Sequence, residues 1–434
     1  MSNNHEAGQT YIIFAMLMIG LLSFSAMAID GGVIYHEHRR SQNAADAAAM
    51  AAAYAKIKGQ PLGTAALANA TTNDYITSAQ HCVPAGPDCV LGVGPDLTIQ
   101  VTNPPRTGVY AGNTEYIHVI IKNMVETNFL HLFFPGGFAN QVEATSRVWP
   151  PQSFKPGYAI FATTEHDCKG VWFSGTGNTV TDGGGIFSNS DASSSSCQSG
   201  VQDGGGDVIV QPPDKIESVG TFDTGGSGSV SPAPSEGVPQ QEMRADFAPD
   251  CSGLPDYGNV TINGHGTITI DPGRYSQISV HSSPDLILNP GMYCLYGSHG
   301  FHANGGSITG SGVLIYMQDG DFDLGGNTLI SLAAEPNAGV LVDPSHSDWK
   351  GMLLFVDHSN TNDITITGTS NSTYTGTIYA PENDVEISGT GTTLGLVSTQ
   401  IIANTVKITG NAEIDLNYNE DDVFNLPSAI DLIK

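Results

Sequence analysis

The densest set of metal-binding side chains in the sequence is a short aspartate string. Asp319, Asp321 and Asp323 stand at alternate positions, and Gly325 follows close behind. Carboxylates with this spacing on a turn can direct three oxygen ligands at one Ca²⁺ ion. A complete calcium loop also needs glycine at its sixth place and glutamate at its twelfth, where this sequence has leucine and isoleucine. We therefore expect no cofactor and interpret the string as a solvated strand edge, and Ca²⁺ bound by the three aspartates is the alternative.

Histidines offer a second kind of metal ligand, in two places. His299 and His302 lie close together, but no cysteine or carboxylate stands beside them at a typical ligand spacing. We interpret both as turn residues. His36 and His38 precede two arginines just after the N-terminal apolar segment. Their position favours contact with lipid headgroups or a partner over metal binding.

Catalytic patterns are sparse. The sequence contains no G-x-S-x-G, Walker loop or H-E-x-x-H. Paired carboxylates could serve a polysaccharide lyase or hydrolase, but the required separation is not visible in a sequence. An acidic sugar also needs cations, and those after Cys251 are few: Arg274, Lys350, Lys407 and Lys434. We expect no enzymatic activity and no catalytic residue, with a polysaccharide-active enzyme as the alternative.

The overall charge narrows the possible partners. The chain has 434 residues and a formal net charge of −28. Binding to nucleic acid requires clustered lysine and arginine, so nucleic acid is excluded as a partner. The 52 glycines and the low charged fraction of 13% indicate many short strands joined by turns.

The cysteines indicate an oxidising compartment. All six follow the apolar N-terminal segment: Cys82, Cys89, Cys168, Cys197, Cys251 and Cys294. An even number on one side of a membrane helix favours disulfides over free buried thiols, which are the alternative. Pairing of nearest neighbours, one of fifteen connectivities, gives Cys82–Cys89, Cys168–Cys197 and Cys251–Cys294.

The N-terminal segment is long enough to cross a bilayer. Tyr11–Ile29 contains no charged residue, and about twenty residues of helix span about 30 Å. The alternative is a signal peptide cleaved after Ala28, in the small-x-small sequence Ala26-Met27-Ala28. The tail 1–9 lacks the positive charge that a signal peptide needs, so we predict an uncleaved transmembrane helix.

The orientation of this helix involves a conflict. Arg39 and Arg40 follow the helix and no lysine or arginine precedes it, so the positive-inside rule alone would place the C-terminal side in the cytoplasm. Long domains cross membranes largely regardless of such charges, and all cysteines lie in that domain. We therefore expect a cytoplasmic N-terminus and an extracytoplasmic bulk, in a single-pass membrane protein.

An alanine-rich segment continues the helix. Ser41–Lys58 lacks glycine and proline, and Gly59 and Pro61 then end the helical pattern. A second helix is expected over Thr64–Ala79. The alanine face could allow close helix–helix approach, or the segment could be a simple stalk.

Three motifs in this region resemble a known family. They are Gly8-Gln9, the apolar run that ends in Ala28-Ile29-Asp30-Gly31-Gly32, and the later Gln42-Asn43-Ala44-Ala45-Asp46-Ala47-Ala48-Ala49. Together they resemble the N-terminal signature of TadG-like proteins of the tight-adherence (Flp) pilus-assembly group. The resemblance implies a membrane-anchored, extracytoplasmic protein with pilus-assembly or surface proteins as partners.

Some members of this family carry a metal-binding domain with a D-x-S-x-S loop. Asp191, Ser193 and Ser195 match that string. The real motif follows an apolar strand, whereas a glycine- and serine-rich segment precedes these residues. We interpret the match as a coincidence.

The middle of the chain has strand patterns. Leu97–Val101, Tyr116–Val125 and Gln141–Val148 combine β-branched residues with apolar alternation. A short sheet packed on the end of the long helix would make a small, pilin-like α+β domain.

The C-terminal half has short apolar strands separated by glycine, asparagine and serine turns. The repeats ITGSG, ITGTS, ISGTG and ITGNA indicate stacked coils whose neighbours complete one core. We predict a parallel β-helix, and a β-sandwich is the alternative. The segment 211–250 is rich in glycine, proline and serine and is expected to be a flexible insertion.

The predicted class is therefore mainly β, in four parts. They are a cytoplasmic tail 1–9, a transmembrane helix and alanine-rich stalk 10–81, an α+β domain 82–155 and a β-helix 156–434. The expected role is structural or adhesive at the cell surface. A filament-forming pilin-like subunit is an alternative. Self-association is compatible with both roles.

Overall fold

A computed structural model describes residues 7–72, 89–92, 97–130, 136–243, 248–325, 327–336, 349–369, 371–389 and 393–433. The chain divides into two compact units. The first unit comprises Met1–Pro151 and Ser428–Lys434, and the second comprises Gln152–Pro427. The prediction of a mainly β protein with a long N-terminal helix is confirmed.

Two helices precede a long series of strands. The helices and first strands are α1 (Ala7–Ile57), α2 (Leu62–Thr72), β1 (Cys89–Gly92), β2 (Leu97–Thr102), β3 (Tyr116–Val125) and β4 (Phe138–Trp149). Short strands follow: β5 (Gln152–Ser153), β6 (Tyr158–Ala162), β7 (Val171–Phe173), β8 (Thr179–Asp182), β9 (Gly185–Ser188), β10 (Ser193–Ser194), β11 (Cys197–Gln198), β12 (Gly200–Gln202), β13 (Val208–Val210), β14 (Ile216–Ser218), β15 (Phe222–Asp223), β16 (Val230–Ser231) and β17 (Ser235–Glu236). The remaining strands are β18 (Asp256–Ile270), β19 (Gly273–Leu288), β20 (Gly291–Leu295), β21 (Phe301–Ala303), β22 (Ser307–Ser311), β23 (Val313–Met317), β24 (Phe322–Leu324), β25 (Leu329–Ala333), β26 (Met352–Val356), β27 (Ile364–Gly368), β28 (Thr373–Gly389), β29 (Thr393–Gly410), β30 (Glu413–Asn417), β31 (Asn425–Leu426) and β32 (Ala429–Ile433).

The first unit is an antiparallel sheet with helices packed against it. The strand order is β1-β2-β3-β4-β32. Ile117, Val119 and Ile121 are fully buried in the same core as the alanines of α1, as their alternation predicts. The sequence pattern places the last strand, β32, in the β-helix, but this strand pairs with β4 instead.

The helix boundaries follow from local chemistry. α1 ends at Ile57, and Gly59 follows with φ +64, a conformation that glycine adopts without strain. α2 covers Leu62–Thr72, and the rest of the helix predicted up to Ala79 lies outside the described residues.

The second unit is a parallel β-helix, as predicted. Every strand pair in its large sheet is parallel, which excludes the antiparallel β-sandwich. Successive turns of the chain, which we call coils, place Asp285, Ser307 and Leu329 in register, 22 residues apart. Each coil contributes strands to three faces. The ITG-type repeats form corners, and at one of them Gly410 has φ +100 close to the carbonyl of Gly389, where no side chain would fit.

The order of the coils differs from the order of the sequence. β29 pairs with β28 on one side and with β6 and β7 on the other, so the last long coil stacks on the first coil of the unit. From there the chain continues outwards to β17. The segment 237–255 then returns to the opposite end, where β18 begins.

The prediction of a flexible insertion over 211–250 needs correction. The first part of this segment holds β14 to β17, which pair with β9, β12, β13 and β14 of neighbouring coils. Strands of two or three residues between glycine and proline corners are too short to show periodicity. The composition of the segment resembles a linker, but its backbone hydrogen bonds are those of the ladder.

A second apolar core lies outside the coils. On one face, outward side chains such as Phe161, Phe187 and Phe355 are fully buried. Phe154 and Phe424 cover them, and Phe154 stacks 4.2 Å from the Tyr379 ring. The return segment contributes partly buried residues to the same cluster: Val238, Met243 and Leu254.

Candidate functional site

The N-terminal half of α1 exposes an apolar surface. Large side chains over Tyr11–Ile29 are exposed, for example Leu17 at 62% and Leu21 at 68%. Among the described residues, one helix, over Tyr11–Ile57, is long and apolar enough to cross a membrane. A continuous exposed apolar surface of this kind marks a site of contact with a membrane or with another protein.

Asp30 marks the end of the apolar stretch. Its side chain is fully buried. The carboxylate accepts the backbone N–H groups of Asn128 at 2.8 Å, Phe129 at 2.9 Å and Leu130 at 2.6 Å. Hydrogen bonds to an ionised acceptor are the stronger kind, so Asp30 holds the loop after β3 against the helix.

A polar network joins the next turns of α1 to the sheet. Asn140 donates to Ser41 Oγ and to Asn123 Oδ1, each at 2.7 Å. Asn123 donates in turn to Glu37 Oε1 at 3.0 Å. His38 Nδ1 lies 2.7 Å from Asn140 Oδ1, so this histidine contacts the sheet of its own chain rather than only the predicted headgroup or partner.

The alanine run forms the contact between helix and sheet. Its buried members are Ala44, Ala45, Ala48, Ala49, Ala52 and Ala53. Ser146 on β4 donates to the backbone carbonyl of Ala49 at 2.8 Å, a contact that only small side chains permit. The segment predicted as a stalk or a helix–helix contact therefore packs on β3, β4 and α2 of the same unit.

A row of outward side chains runs along one face of the second unit. Register aligns them coil by coil: Ser279, His302, Asp323, Thr365, Glu386, Lys407, Trp172, Val201 and Asp223. Lys407 lies 3.0 Å from Glu386 and 5.0 Å from the Trp172 ring. Lys169 lies 3.6 Å from the same ring, whose Nε1 donates to Asp203 at 2.9 Å.

Two adjoining grooves lie beside this row, and both are lined by Asp167 and Asn404. One has a volume of about 520 Å³ and the other about 620 Å³. The first is lined by His166 and by a histidine–carboxylate pair in which His358 is 3.5 Å from Glu382. Asp191 lies 3.1 Å from His166. The second contains the Trp172 arrangement together with further carboxylates: Asp363, Asp384 and Glu386. Sequence reasoning missed the grooves because their residues come from neighbouring coils that are far apart in the sequence.

The predicted calcium ligands lie in different settings. Asp319 sits in a corner and accepts a hydrogen bond from Asn362 at 3.0 Å, whereas Asp323 faces outwards between His302 and Thr365. The backbone carbonyl of Asp321 accepts the N–H of Phe301. Over the described ranges, no three His, Cys, Asp or Glu side chains are arranged to hold a metal ion. Calcium binding stays an alternative to which this arrangement adds no support.

The D-x-S-x-S string lies on a small hairpin. Ser193 and Ser194 in β10 pair with β11, which Cys197 ties to Cys168. The carboxylate of Asp191 pairs with His166, so the geometry of this string does not indicate a metal ion held jointly by the aspartate and the serines.

Two of the three predicted disulfides are present. Cys168–Cys197 and Cys251–Cys294 both lie in the second unit, and the latter fixes the return segment to β20. Cys82 lies outside the described residues, so the predicted Cys82–Cys89 pair stays a prediction.

Comparison with known families gives two matches. Residues 8–55 match Tad, described as Flp pilus-assembly TadE/G-like, and residues 258–421 match a family described as Domain of unknown function (DUF7305). Comparison with curated proteins and with solved structures gave no match.

The Tad match covers the residues whose geometry stands out in the first unit. It includes the exposed apolar stretch, Asp30, the polar network of α1 and the buried alanines. The second match covers the coils from β18 to β30. The chain thus carries a TadE/G-like Flp pilus-assembly domain in front of a β-solenoid, as a membrane-anchored protein related to pilus assembly.

Proposed function

We propose that residues 11–29 hold this protein in a membrane, that its bulk is extracytoplasmic, and that it has a structural and adhesive role in tight-adherence pilus assembly. The main support is the continuity of α1. Its exposed apolar half passes directly into a half whose first turn is fixed by the three hydrogen bonds of Asp30. A folded unit would thereby stand directly at the membrane surface.

The disulfides support the extracytoplasmic side. Cys168–Cys197 and Cys251–Cys294 both lie beyond the helix. Such bonds persist in oxidising compartments and are rare in the cytosol. The two arginines after the helix carry less weight than these disulfides, since long domains translocate largely regardless of nearby charge.

The solenoid supports a structural role. Its ladder of parallel pairs runs from β18 through β30 to β17, with a core inside the coils and another outside one face. A surface of stacked coils offers repeated, rigid positions to a partner.

The test changes the apolar stretch of the full chain. Lysine at both Leu17 and Leu21 should move the protein out of the membrane fraction, because each lysine costs about 2.5–3.5 kcal/mol at a helix centre. The matched control puts lysine at Tyr35 and His36, which are exposed beyond that stretch and should leave the protein in the membrane.

The side of the membrane is tested by alkylating intact cells with a permeant maleimide before lysis. The four solenoid cysteines should stay unmodified until a reductant is added. Alkylation of any of these four cysteines in a membrane-bound protein without reductant, located by peptide mapping, would contradict the extracytoplasmic placement, whatever the fractionation shows.

The two grooves favour a second candidate, a polysaccharide-active enzyme. Carboxylates that are far apart in the sequence line both grooves. Carboxylates are the groups that glycan hydrolysis uses. Turnover of neutral and acidic glycans by the full chain, abolished by Glu382→Gln or Asp384→Asn, would support it. Absence of turnover on both glycan classes would count against it.

A further inference from the structure

The two ends of the solenoid differ in how they are closed. At one end, β16 and β17 have two residues each, and Pro232 and Pro234 lie in the segment between them. Glu236 Oε1 accepts the N–H of Phe222 at 2.6 Å and so caps the adjacent coil. Short strands and prolines without N–H groups block the addition of another strand, so this end is protected.

The opposite end has no such protection. β18 is 15 residues long and pairs along its length with β19, and no second partner strand is found for it among the described residues. It contains no lysine, arginine, glutamate or proline. Tyr257 is 46% exposed and Ile268 is 38% exposed. A long, exposed, apolar edge of this kind is a template for pairing with another strand.

The charge of the β18 edge indicates which partner it can accept. The one acidic residue of β18, Asp256, lies 3.8 Å from Arg274 and accepts a hydrogen bond from Tyr296 at 3.1 Å. The edge is therefore effectively uncharged on a chain of net charge −28. Two copies of the chain can approach at this edge without the repulsion that their other surfaces would produce.

On its open side, the backbone of β18 presents N–H and C=O groups that can bond to a second strand. Asn289 donates to the carbonyl of Ile270 at 3.1 Å, so the groups of Ile270 point towards β19. The backbone N–H and C=O groups of successive residues in a strand point to alternate sides. Those of Thr269 and Thr267 therefore point to the open side. The side chain of Ile268 points into the coil, since its register partner Leu286 is fully buried.

We propose that β18 is an interface between two copies of this chain, formed by antiparallel pairing of β18 with β18. When two identical ends face each other, their β18 strands run in opposite directions, as a two-fold axis requires. Because the other end is protected, assembly stops at two copies and does not continue into a filament.

The size of this interface is modest. β18 turns a corner at Gly264 and Gly266, which have φ +98 and +112, and its contour is about 50 Å long. With side chains of about 5 Å on each side, this bent edge covers on the order of 500 Å² per copy, near the lower limit for a specific interface. Anchoring both copies in one membrane would raise their effective concentration and favour pairing.

The experiment measures the mass of the full chain in detergent by light scattering, together with hydrogen exchange at residues 267–270. A dimer with slowly exchanging amides is expected. Ile268→Lys places a charge inside the open coil and should give a monomer with at least tenfold faster exchange there. Thr269→Val is the matched control, since its side chain points away from the coil and adds no charge to the edge, and it should remain dimeric.

A second variant, Thr269→Pro, removes an outward N–H without adding charge and should also give a monomer. Circular dichroism like that of the unchanged chain establishes that each variant is folded. A monomeric full chain overturns the proposal and leaves the edge to a strand of another protein. A dimer that survives Ile268→Lys with fast exchange at 267–270 also overturns it, because the contact then lies elsewhere, as does any assembly larger than two.

Discussion

The two units bury apolar surface in different ways. In the first, small alanines of α1 let the helix approach a sheet so closely that Ser146 bonds to the carbonyl of Ala49. In the second, large side chains fill the space within and around stacked coils, among them Tyr374, Phe301 and Phe322. The first interface therefore tolerates no increase in side-chain size, whereas the second tolerates no decrease.

The largest expected effect is a cavity in the second unit. Phe322→Ala removes a buried ring that lies 6.0 Å from the ring of Phe301. The free energy of unfolding should fall by about 3–5 kcal/mol, as for other buried aromatic truncations. Hydrogen exchange of peptides from β21 to β25 measures it, and Phe322→Leu is the control with the smaller loss. Unchanged exchange in Phe322→Ala would refute the role of large side chains.

The next effect concerns the junction in the first unit. Asp30→Asn removes the charge that accepts three backbone hydrogen bonds, at a cost of about 1.5–3 kcal/mol. Amides of residues 128–130 should exchange faster. Asp46→Asn, whose carboxylate accepts from Gln42, is the control and should leave that loop unchanged. Equal exchange in both variants would show that Asp30 does not fix the loop.

Enlarging an alanine tests the other half of the comparison. Ala49→Leu should destabilise the first unit by about 1–3 kcal/mol, because overpacking moves α1 away from β4. Ala47→Leu, at a half-buried position of the same helix, should cost less. The measurement is exchange of peptides from β3 and β4, and a more stable Ala49→Leu would reverse the argument.

The smallest effect is a pH dependence in the second unit. Lys155 donates to the carbonyl of Glu242 at 2.6 Å and lies 4.6 Å from the Phe161 ring. Burial lowers the pKa of Lys155 from 10.5 to about 8, against a smaller opposing effect of Glu242. Between these two values the unfolded chain binds more protons than the folded chain, so stability should rise with pH across that window.

The measurement compares urea midpoints of the unchanged chain and Lys155→Met from pH 7.5 to about 9.5, within the range where this lysine titrates. The rise with pH should be smaller in the variant. Lys215→Met, at an exposed position, should keep the full rise. The same slope in all three proteins would mean that Lys155 does not cause the effect.

Local patterns were sufficient for much of the fold. The apolar stretch, the strands β2 to β4 and the stacked coils follow from hydrophobic periodicity, which depends on neighbours in sequence. Two disulfides follow from the nearest-neighbour rule because each closes across an adjacent loop or coil. The role of Asp30 was missed, although an acidic residue directly after a long apolar run was a usable signal.

Contacts between residues that are far apart in the sequence could not be predicted from such local patterns. Nothing in the sequence near Trp172 indicates that Lys407 lies beside it, since 235 positions separate the two residues in the sequence. The same holds for the grooves and for β32, which joins a sheet built almost 300 residues earlier.

The sequence by itself determined an apolar anchor, an alanine-rich helix and a solenoid of short parallel strands, because each depends on residues close together in the chain. The tertiary structure decided which coil stacks on which and which end of the solenoid stays open. Every coil offers the same backbone groups to its neighbour, so the order is set by side-chain fit and by the return segment 237–255, which connects the two ends.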